Sequence, residues 1–131
     1  MSHEGQYRQD PDSGPRAAVA PMIEVVLTYN NRSSRCWAII DSGSPISTIT
    51  AEVTSATSAE KKGEDEVSGA TDNRSLPFSF YWVDLTFAGT QYSNHPLYDL
   101  RTSHRAMIIG RDILNAHGII LDGPHREFSI D

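Results

Sequence analysis

The chain has 131 residues, of which 38% are hydrophobic, and its formal charge at pH 7 is −6. This length suits one globular domain, and a negative charge without any run of Lys or Arg argues against nucleic acid or an anionic membrane surface as partner. The chain has one cysteine, Cys36, which excludes an intrachain disulfide framework and a cysteine-rich metal site.

The first 20 residues are polar and contain Pro11, Gly14 and Pro15, so we expect a flexible N-terminal leader. The start of the chain lacks the apolar centre of a signal peptide, and no run of about 18 apolar residues could span a bilayer. We therefore expect a cytoplasmic or otherwise intracellular protein with no membrane partner, whose single domain covers residues 21–131.

Two β-hairpins are predicted next along the chain. The β-branched and aromatic stretch 22–29 precedes the turn residues NNRSSR and the apolar run 36–40. The segment 55–75 is polar, and we expect it to be mobile and exposed to solvent. The stretch 76–87 then has strand composition, and AGTQ predicts a hairpin turn before YSNHPLYDL.

The C-terminal part is predicted to hold the one helix of a mostly β chain. The apolar run 106–110 precedes RDILNAHG, where Asp112 suits the first turn of a helix and Gly118 suits a left-handed cap. We expect about two helical turns. A last strand should follow, in which Phe128 and Ile130 alternate with polar neighbours.

A carboxylate follows directly on the apolar run 37–40, at Asp41. A carboxylate at the end of a buried strand is costly to desolvate, so we expect hydrogen bonds to hold it. The backbone N–H of Gly43 and the nearby small hydroxyls can supply these bonds. Such a position favours an acid or base that takes part in chemistry.

Two separated motifs resemble those of the retropepsin-like aspartic proteases of retroviruses, retrotransposons and their cellular and bacterial relatives. Residues 38–44, AIIDSGS, are similar to the family's apolar-apolar-Asp-Thr/Ser-Gly-Ala/Ser signature, and residues 108–114, IIGRDIL, to its apolar-apolar-Gly-Arg-Asn/Asp-apolar-Leu segment. The resemblance implies a single-domain closed β-barrel with one short C-terminal helix, in a two-fold symmetric homodimer.

The resemblance also implies a mechanism that needs two chains. Asp41 is implied as the catalytic carboxylate, Ser42 as the residue that locks the two catalytic loops together, and Gly43 as a main-chain contact to substrate. The second carboxylate is expected from Asp41 of an identical chain, because two carboxylates sharing a proton can act as base and acid. The other aspartates considered for this role lack the following Ser/Thr-Gly: Asp84, Asp99, Asp112 and Asp122.

Further roles are implied by position in the family's pattern. A flap is expected over about residues 60–75, although a disordered surface loop is the alternative. Ala106 and Ile108 are expected beside the substrate, although ordinary core is the alternative. The implied substrate-binding residues are Ser44, Val67, Ser68, Gly69, Ala106 and Ile108, and those that support the site are Gly110, Arg111 and Asp112.

One departure from the retroviral pattern concerns Arg111. Pro45 stands where many retroviral members have an Asp that pairs with this arginine, so Arg111 needs another partner, such as a carboxylate of the C-terminal segment or of the other subunit. Phe128 and Ile130 of the last strand are candidates for dimer contact, and the alternative is that this strand is the rim of a monomer.

The expected function is that of a homodimeric aspartic endopeptidase that cleaves a peptide or polyprotein without a cofactor. The alternative is a catalytically inactive module of the same fold that dimerises or binds peptides. Histidine spacing disfavours a metalloprotease, and the lack of Gly-x-Ser-x-Gly disfavours a serine hydrolase. Trp37 and Trp82 are interpreted as core or interface aromatics.

Overall fold

The computed structural model describes residues 2–67, 76–100 and 104–131. No helix within these ranges is both long and apolar enough to cross a membrane. The strands and helices are β1 (His3–Gln9), β2 (Val19–Tyr29), β3 (Arg32–Ile40), α1 (Ala51–Thr57), β4 (Gly63–Val67), β5 (Leu76–Phe87), β6 (Thr90–Asp99), β7 (Met107–Ile109), α2 (Arg111–Leu114), β8 (Ile119–Asp122) and β9 (Glu127–Ile130).

The first predicted hairpin is confirmed as β2 and β3. The two strands pair antiparallel, and Tyr29 lies opposite Arg32 at the hairpin turn. The turn residues Asn30 and Asn31 have φ of 47° and 65°. Asn tolerates this left-handed region better than most residues, and two positive φ values in a row give the twist that a two-residue hairpin needs.

The second predicted hairpin is confirmed as β5 and β6. Its turn residues, Ala88 and Gly89, have φ of 49° and 77°. The register of the hairpin shifts between Val83 and Leu85. The extra residue lies on β6, where three steps from Tyr92 to His95 oppose two steps on β5, so Val83, Leu85 and Phe87 keep their regular alternation and all three are buried.

Nine strands of the described ranges form one sheet, which is not closed into the barrel we expected. The strands along its main path follow the order β4-β5-β2-β1-β9-β8, while β3 pairs with β2 and β7, and β6 pairs with β5. Within the described ranges the path ends at β4 on one side and at β8 on the other. Strand β1 links the two parts of this path, because it pairs with β2 through one half and with β9 through the other.

The predicted leader is wrong for residues 3–9, which form β1. The first half of β1 pairs with β9 and the second half pairs with β2. Gly5 lets the ring of Phe128 lie against the strand, since a Cβ there would come within 2.3 Å of the ring. Backbone pairing therefore holds this polar strand, whereas the prediction considered only how few apolar side chains it has.

The helices also differ from the prediction. Helix α1 was not foreseen; it begins after Thr50, whose hydroxyl accepts a bond from the N–H of Val53 at 3.5 Å, and it buries Val53 and Thr57. Helix α2 has only four residues, about half the expected length. Gly118 does not have a positive φ, so it is not the left-handed cap we expected.

The core lies between the sheet and the two helices and includes the last strand. Phe128 and Ile130, which we considered for dimer contact, are 5% and 0% exposed and pack in the core of their own chain. They are therefore not available to a neighbour. Trp37 and Trp82 lie outside the core, and both are partly exposed. The other core side chains come mainly from β2, β3, β5, β7 and α2: Val25, Leu27, Ala38, Ile40, Val83, Leu85, Phe87, Met107, Ile109, Ile113 and Leu114.

Candidate active site

Parallel pairing of β3 with β7 brings the two sequence motifs together. Ile40 at the end of β3 lies opposite Ile109 at the end of β7. The next residue, Asp41, donates its backbone N–H to the carbonyl of Ile109 at 3.0 Å. Asp41 therefore leaves the sheet at the point where the second motif begins its turn into α2.

The Asp41 carboxylate is held on one side and open on the other. Its Oδ1 accepts the backbone N–H of Gly43 at 2.9 Å, and its carbonyl accepts the N–H of Ser44 at 3.2 Å, which closes a tight turn. The side chain is half-buried. Within the described part of the chain, Oδ2 has no hydrogen-bond partner, so it can accept a proton or bind a water.

Arg111 of the second motif forms two hydrogen bonds to the turn that carries Asp41. Arg111 donates its N–H to the carbonyl of Ser44 and its guanidinium to the carbonyl of Ser42, both at 2.8 Å. We expected a carboxylate partner for Arg111, but within the described ranges its guanidinium is hydrogen-bonded to the carbonyl oxygen of Ser42 instead. The arrangement orients the turn that carries Asp41.

A partly buried hydrogen-bond network centred on Asp112 joins the loop to β6. The carboxylate accepts from Ser47 through the hydroxyl at 2.7 Å and the N–H at 3.2 Å. Its Oδ2 lies 2.8 Å from Nε2 of His95. The Ser47 hydroxyl in turn accepts the N–H of Gly110 at 2.9 Å. Burial disfavours the charged form of Asp112, yet the bonds from His95 and Ser47 outweigh it and hold its pKa below the ordinary value.

Comparison with solved structures finds retropepsin-type proteins. EIAV protease complexed with the inhibitor HBY-793 aligns with a TM-score of 0.55 at 17% identity, over 74% of this chain and 86% of that one. A retropepsin-like aspartic protease from Rickettsia conorii aligns with a TM-score of 0.56 at 12% identity, over 99% of this chain and 92% of that one. The chain has the retropepsin-like fold.

A third solved structure, the retroviral protease-like domain of Ddi1 from Leishmania major, aligns with a TM-score of 0.48 at 20% identity, over 86% of this chain and 90% of that one. No protein-family model matches the chain, and no curated protein matches it either. At these identities the likeness concerns the retropepsin-like fold and not the activity.

Within this retropepsin-like fold, the predicted site residues fall into three groups. Asp41–Ser44 and Gly110–Asp112 form the connected loop described above. Ala106 is buried at 2% exposure, whereas Ile108 is half-buried, and a substrate contact for either stays a prediction. Val67 is the last residue of β4, while Ser68 and Gly69, and with them the centre of the predicted flap, lie outside the described residues.

Sequence reasoning missed two positioning residues of this retropepsin-like loop, His95 and Ser47, which bind Asp112. It also missed Asp12, whose carboxylate accepts the N–H of Arg105 at 2.9 and 3.1 Å and that of Ala106 at 3.2 Å. Asp12 thereby fixes the start of β7. No local signal could reveal it, because its partners lie more than ninety residues away.

No metal centre is assembled within the described ranges. Groups of three or more His, Cys, Asp or Glu side chains suited to a metal ion are absent there. The thiol of Cys36 is half-buried and lies 3.0 Å from the sulfur of Met107, and burial raises its pKa to about 12. A thiol so rarely ionised is a poor nucleophile.

Proposed function

We propose that the chain is an aspartic endopeptidase whose active form contains two copies, each supplying Asp41. One observation carries the proposal: Asp41 follows β3 directly, its Oδ1 accepts the N–H of Gly43, and its Oδ2 has no hydrogen-bond partner among the residues that the structure describes. The retropepsin-like fold and the fastening of the loop by Arg111 support it. A carboxylate held this way is oriented for reaction before substrate arrives.

Within the described residues, three of the other aspartates considered from the sequence already have partners of their own. Asp112 is occupied by Ser47 and His95. Asp84 accepts the N–H of Asn94 at 3.0 Å, and Asp122 binds His125 at 2.8 Å. A second copy related by a two-fold axis would bring another Asp41 beside the first.

Two adjacent carboxylates can share one proton, because both cannot readily ionise at close range. The ionised carboxylate would take a proton from a water molecule while the oxygen of that water attacks the peptide carbonyl carbon. The protonated one would donate its proton to the carbonyl oxygen, which gives a tetrahedral diol. Collapse of the diol with protonation of the nitrogen breaks the C–N bond and releases an acid and an amine.

The neighbouring loop residues fit the same scheme. Ser42 is exposed, and within the described residues its hydroxyl makes no hydrogen bond, so it is available to the loop of a second copy. Gly43 is exposed as well, and its main chain would meet the substrate. A Cβ at position 43 would lie 3.1 Å from Asp41 Oδ1, so glycine at this position also avoids a close contact with the carboxylate.

The test compares native protein with Asp41→Asn on a mixed peptide pool between about pH 4 and 7, the range in which a shared proton is expected. We expect cleavage by the native chain and loss of at least about a thousandfold in rate for Asp41→Asn, since catalysis would lose one of its two essential groups. Asp84→Asn is the matched control, because its amide oxygen can still accept the Asn94 N–H. Equal cleavage by both aspartate variants, or a folded native dimer that cleaves nothing, would refute the enzyme and leave a binding module.

A further inference from the structure

His95 of β6 forms a shielded pair with Asp112 of the second motif. Its Nε2 lies 2.8 Å from Oδ2 of Asp112, and the two side chains are 16% and 23% exposed. His125 and Asp122 also lie 2.8 Å apart, but these two side chains are 74% and 43% exposed. Solvent and salt screen a partly buried pair much less than an exposed one. A charge on His95 therefore acts strongly on Asp112.

Asp112 connects His95 to the turn that carries Asp41. The Ser47 hydroxyl donates to Oδ1 of Asp112 at 2.7 Å and accepts the N–H of Gly110 at 2.9 Å. A Cβ on Gly110 would lie only 2.6 Å from the carbonyl oxygen of Ser44, so the two backbones are in tight contact. A shift of Asp112 would therefore also shift the turn.

The ionisation of Asp112 fixes His95 as the donor. Hydrogen bonds from His95 and Ser47 hold the pKa of Asp112 below its ordinary value, so above about pH 5 the carboxylate is ionised and only accepts. Nε2 of His95 must then donate whether the ring is neutral or protonated. Histidine rings ordinarily change charge near about pH 6.5, and a protonated ring makes the same bond charge-assisted and stronger.

Among the charged side chains that the structure describes, Asp112 is the one hydrogen-bonded to His95. Tyr92, on the same strand, lies edge-to-face with the His95 ring at 5.8 Å between centroids. It stays neutral at these pH values, because burial and the charge of Asp112 raise its pKa above the ordinary 10. His117 follows α2 and binds the Tyr92 hydroxyl at 2.6 Å, and Asp84 of β5 binds a backbone N–H of β6.

The other attachment of the turn does not change with pH. Arg111 binds the carbonyl oxygens of Ser42 and Ser44. Neither the guanidinium nor a carbonyl titrates between about pH 5 and 8. The pair of His95 with Asp112 is therefore the attachment whose strength depends on pH.

We propose that His95 is a positioning residue for Asp41, which holds the turn more firmly when its ring is protonated. It takes no part in the bonds that form or break. The inference rests on the proposed function for its purpose, because a firmer turn serves Asp41 as a catalytic group. The contact and its dependence on pH are independent of whether the protein cleaves peptides.

The first experiment measures hydrogen exchange at the amides of Ser47 and Gly110, which donate to Asp112 and to the Ser47 hydroxyl. In native protein we expect their protection, relative to the intrinsic exchange rate, to rise at least about threefold from about pH 7.5 to about pH 5.5, because a charge-assisted bond is stronger. In His95→Gln the side chain still donates an N–H but stays neutral. Its protection should change no more than that of core strand β2.

His125→Gln is the matched control, because His125 also binds an aspartate at 2.8 Å, in the turn between β8 and β9. It should behave like native protein. Asp112→Asn keeps an acceptor oxygen for Ser47 but removes the charge, so it should lose the dependence on pH as His95→Gln does. The NMR signals of the His95 ring show where the ring protonates. Native protection that stays constant across that range, or a rise that persists in His95→Gln, overturns the inference.

The second experiment compares peptide cleavage by native protein and His95→Gln over the same pH range. We expect the ratio of their kcat values to be at least about three near pH 5.5 and to approach one near pH 7.5, with KM changed less. Protection that follows His95 in a chain that never cleaves peptide supports the contact and refutes the protease. Asp41-dependent cleavage with a ratio independent of pH supports the protease and overturns the inference.

Discussion

At the scale of single residues, the close approach of two loops depends on Gly110. A Cβ there would lie 2.2 Å from the carbonyl oxygen of Ile46 and 2.6 Å from that of Ser44. Both neighbours are backbone atoms in the loop that carries Asp41, so they cannot move aside as a side chain could. The glycine thus couples the second motif to the candidate catalytic turn.

We therefore expect Gly110→Ala to lower the free energy of unfolding by about 3 kcal/mol, because the methyl group must push the two loops apart. Urea denaturation measures this change. Gly123→Ala is the control, since a Cβ at that turn position meets no atom within 4 Å. Similar losses in both variants would contradict a specific role for the contact at position 110.

Asp112 gives a second prediction at this scale, on pH. Its pKa in the folded chain is lowered from the ordinary 3.8, against the effect of burial, by the bonds from His95 and Ser47. The stabilisation that Asp112 provides is therefore complete at pH values above its pKa in the unfolded chain. It is lost as the pH falls through its lower pKa in the folded chain. The Asp112→Asn variant should be less stable than native protein at about pH 7, and the difference should shrink toward about pH 3. Urea denaturation at several pH values measures it, and a difference independent of pH would contradict this account.

At the scale of secondary-structure elements, Asp12 fixes the strand that supports the site. Its carboxylate accepts two successive backbone N–H groups, those of Arg105 and Ala106, just before β7. We expect Asp12→Ala to cost about 1 kcal/mol of stability and to speed amide hydrogen exchange at these two residues, because their partner is lost. Asp12→Asn keeps one acceptor oxygen and should have a smaller effect. Unchanged exchange in Asp12→Ala would argue against the contact.

The elements that could be predicted from sequence are those whose causes are local. Both hairpins follow from strand composition and turn residues, and Asp41 with Gly43 follows from a short motif. Strand β1 could not be predicted, because it is held by pairing with β9 more than a hundred residues away. The same holds for the bonds of His95 and Ser47 to Asp112, which join positions 17 and 65 residues apart.

At the scale of the whole molecule, charge opposes the assembly that the proposed function requires. Each copy carries a formal charge of −6 at pH 7, so two copies repel one another at long range. Salt screens this repulsion, with a Debye length that falls from about 10 Å at 0.1 M to about 3 Å at 1 M. The isoelectric point computed from the sequence is about 5.2, so lowering the pH toward about 5 removes most of the net negative charge and reduces the same repulsion.

We expect the dimer to tighten both with added salt at constant pH and on moving from about pH 7 to about pH 5, as measured by sedimentation equilibrium. Peptide cleavage should rise over the same pH range for a second reason, because one carboxyl of the Asp41 pair must hold a proton. The effect of charge repulsion on dimerisation and the effect of protonation on catalysis can be measured separately at protein concentrations well above the dimerisation midpoint, where nearly all of the protein is dimeric. There, salt should no longer change the rate per dimer, while the preference for mildly acidic pH should persist. A rate per dimer that peaks well above neutral pH would contradict the shared proton, and a dimer that weakens with salt would contradict the charge argument.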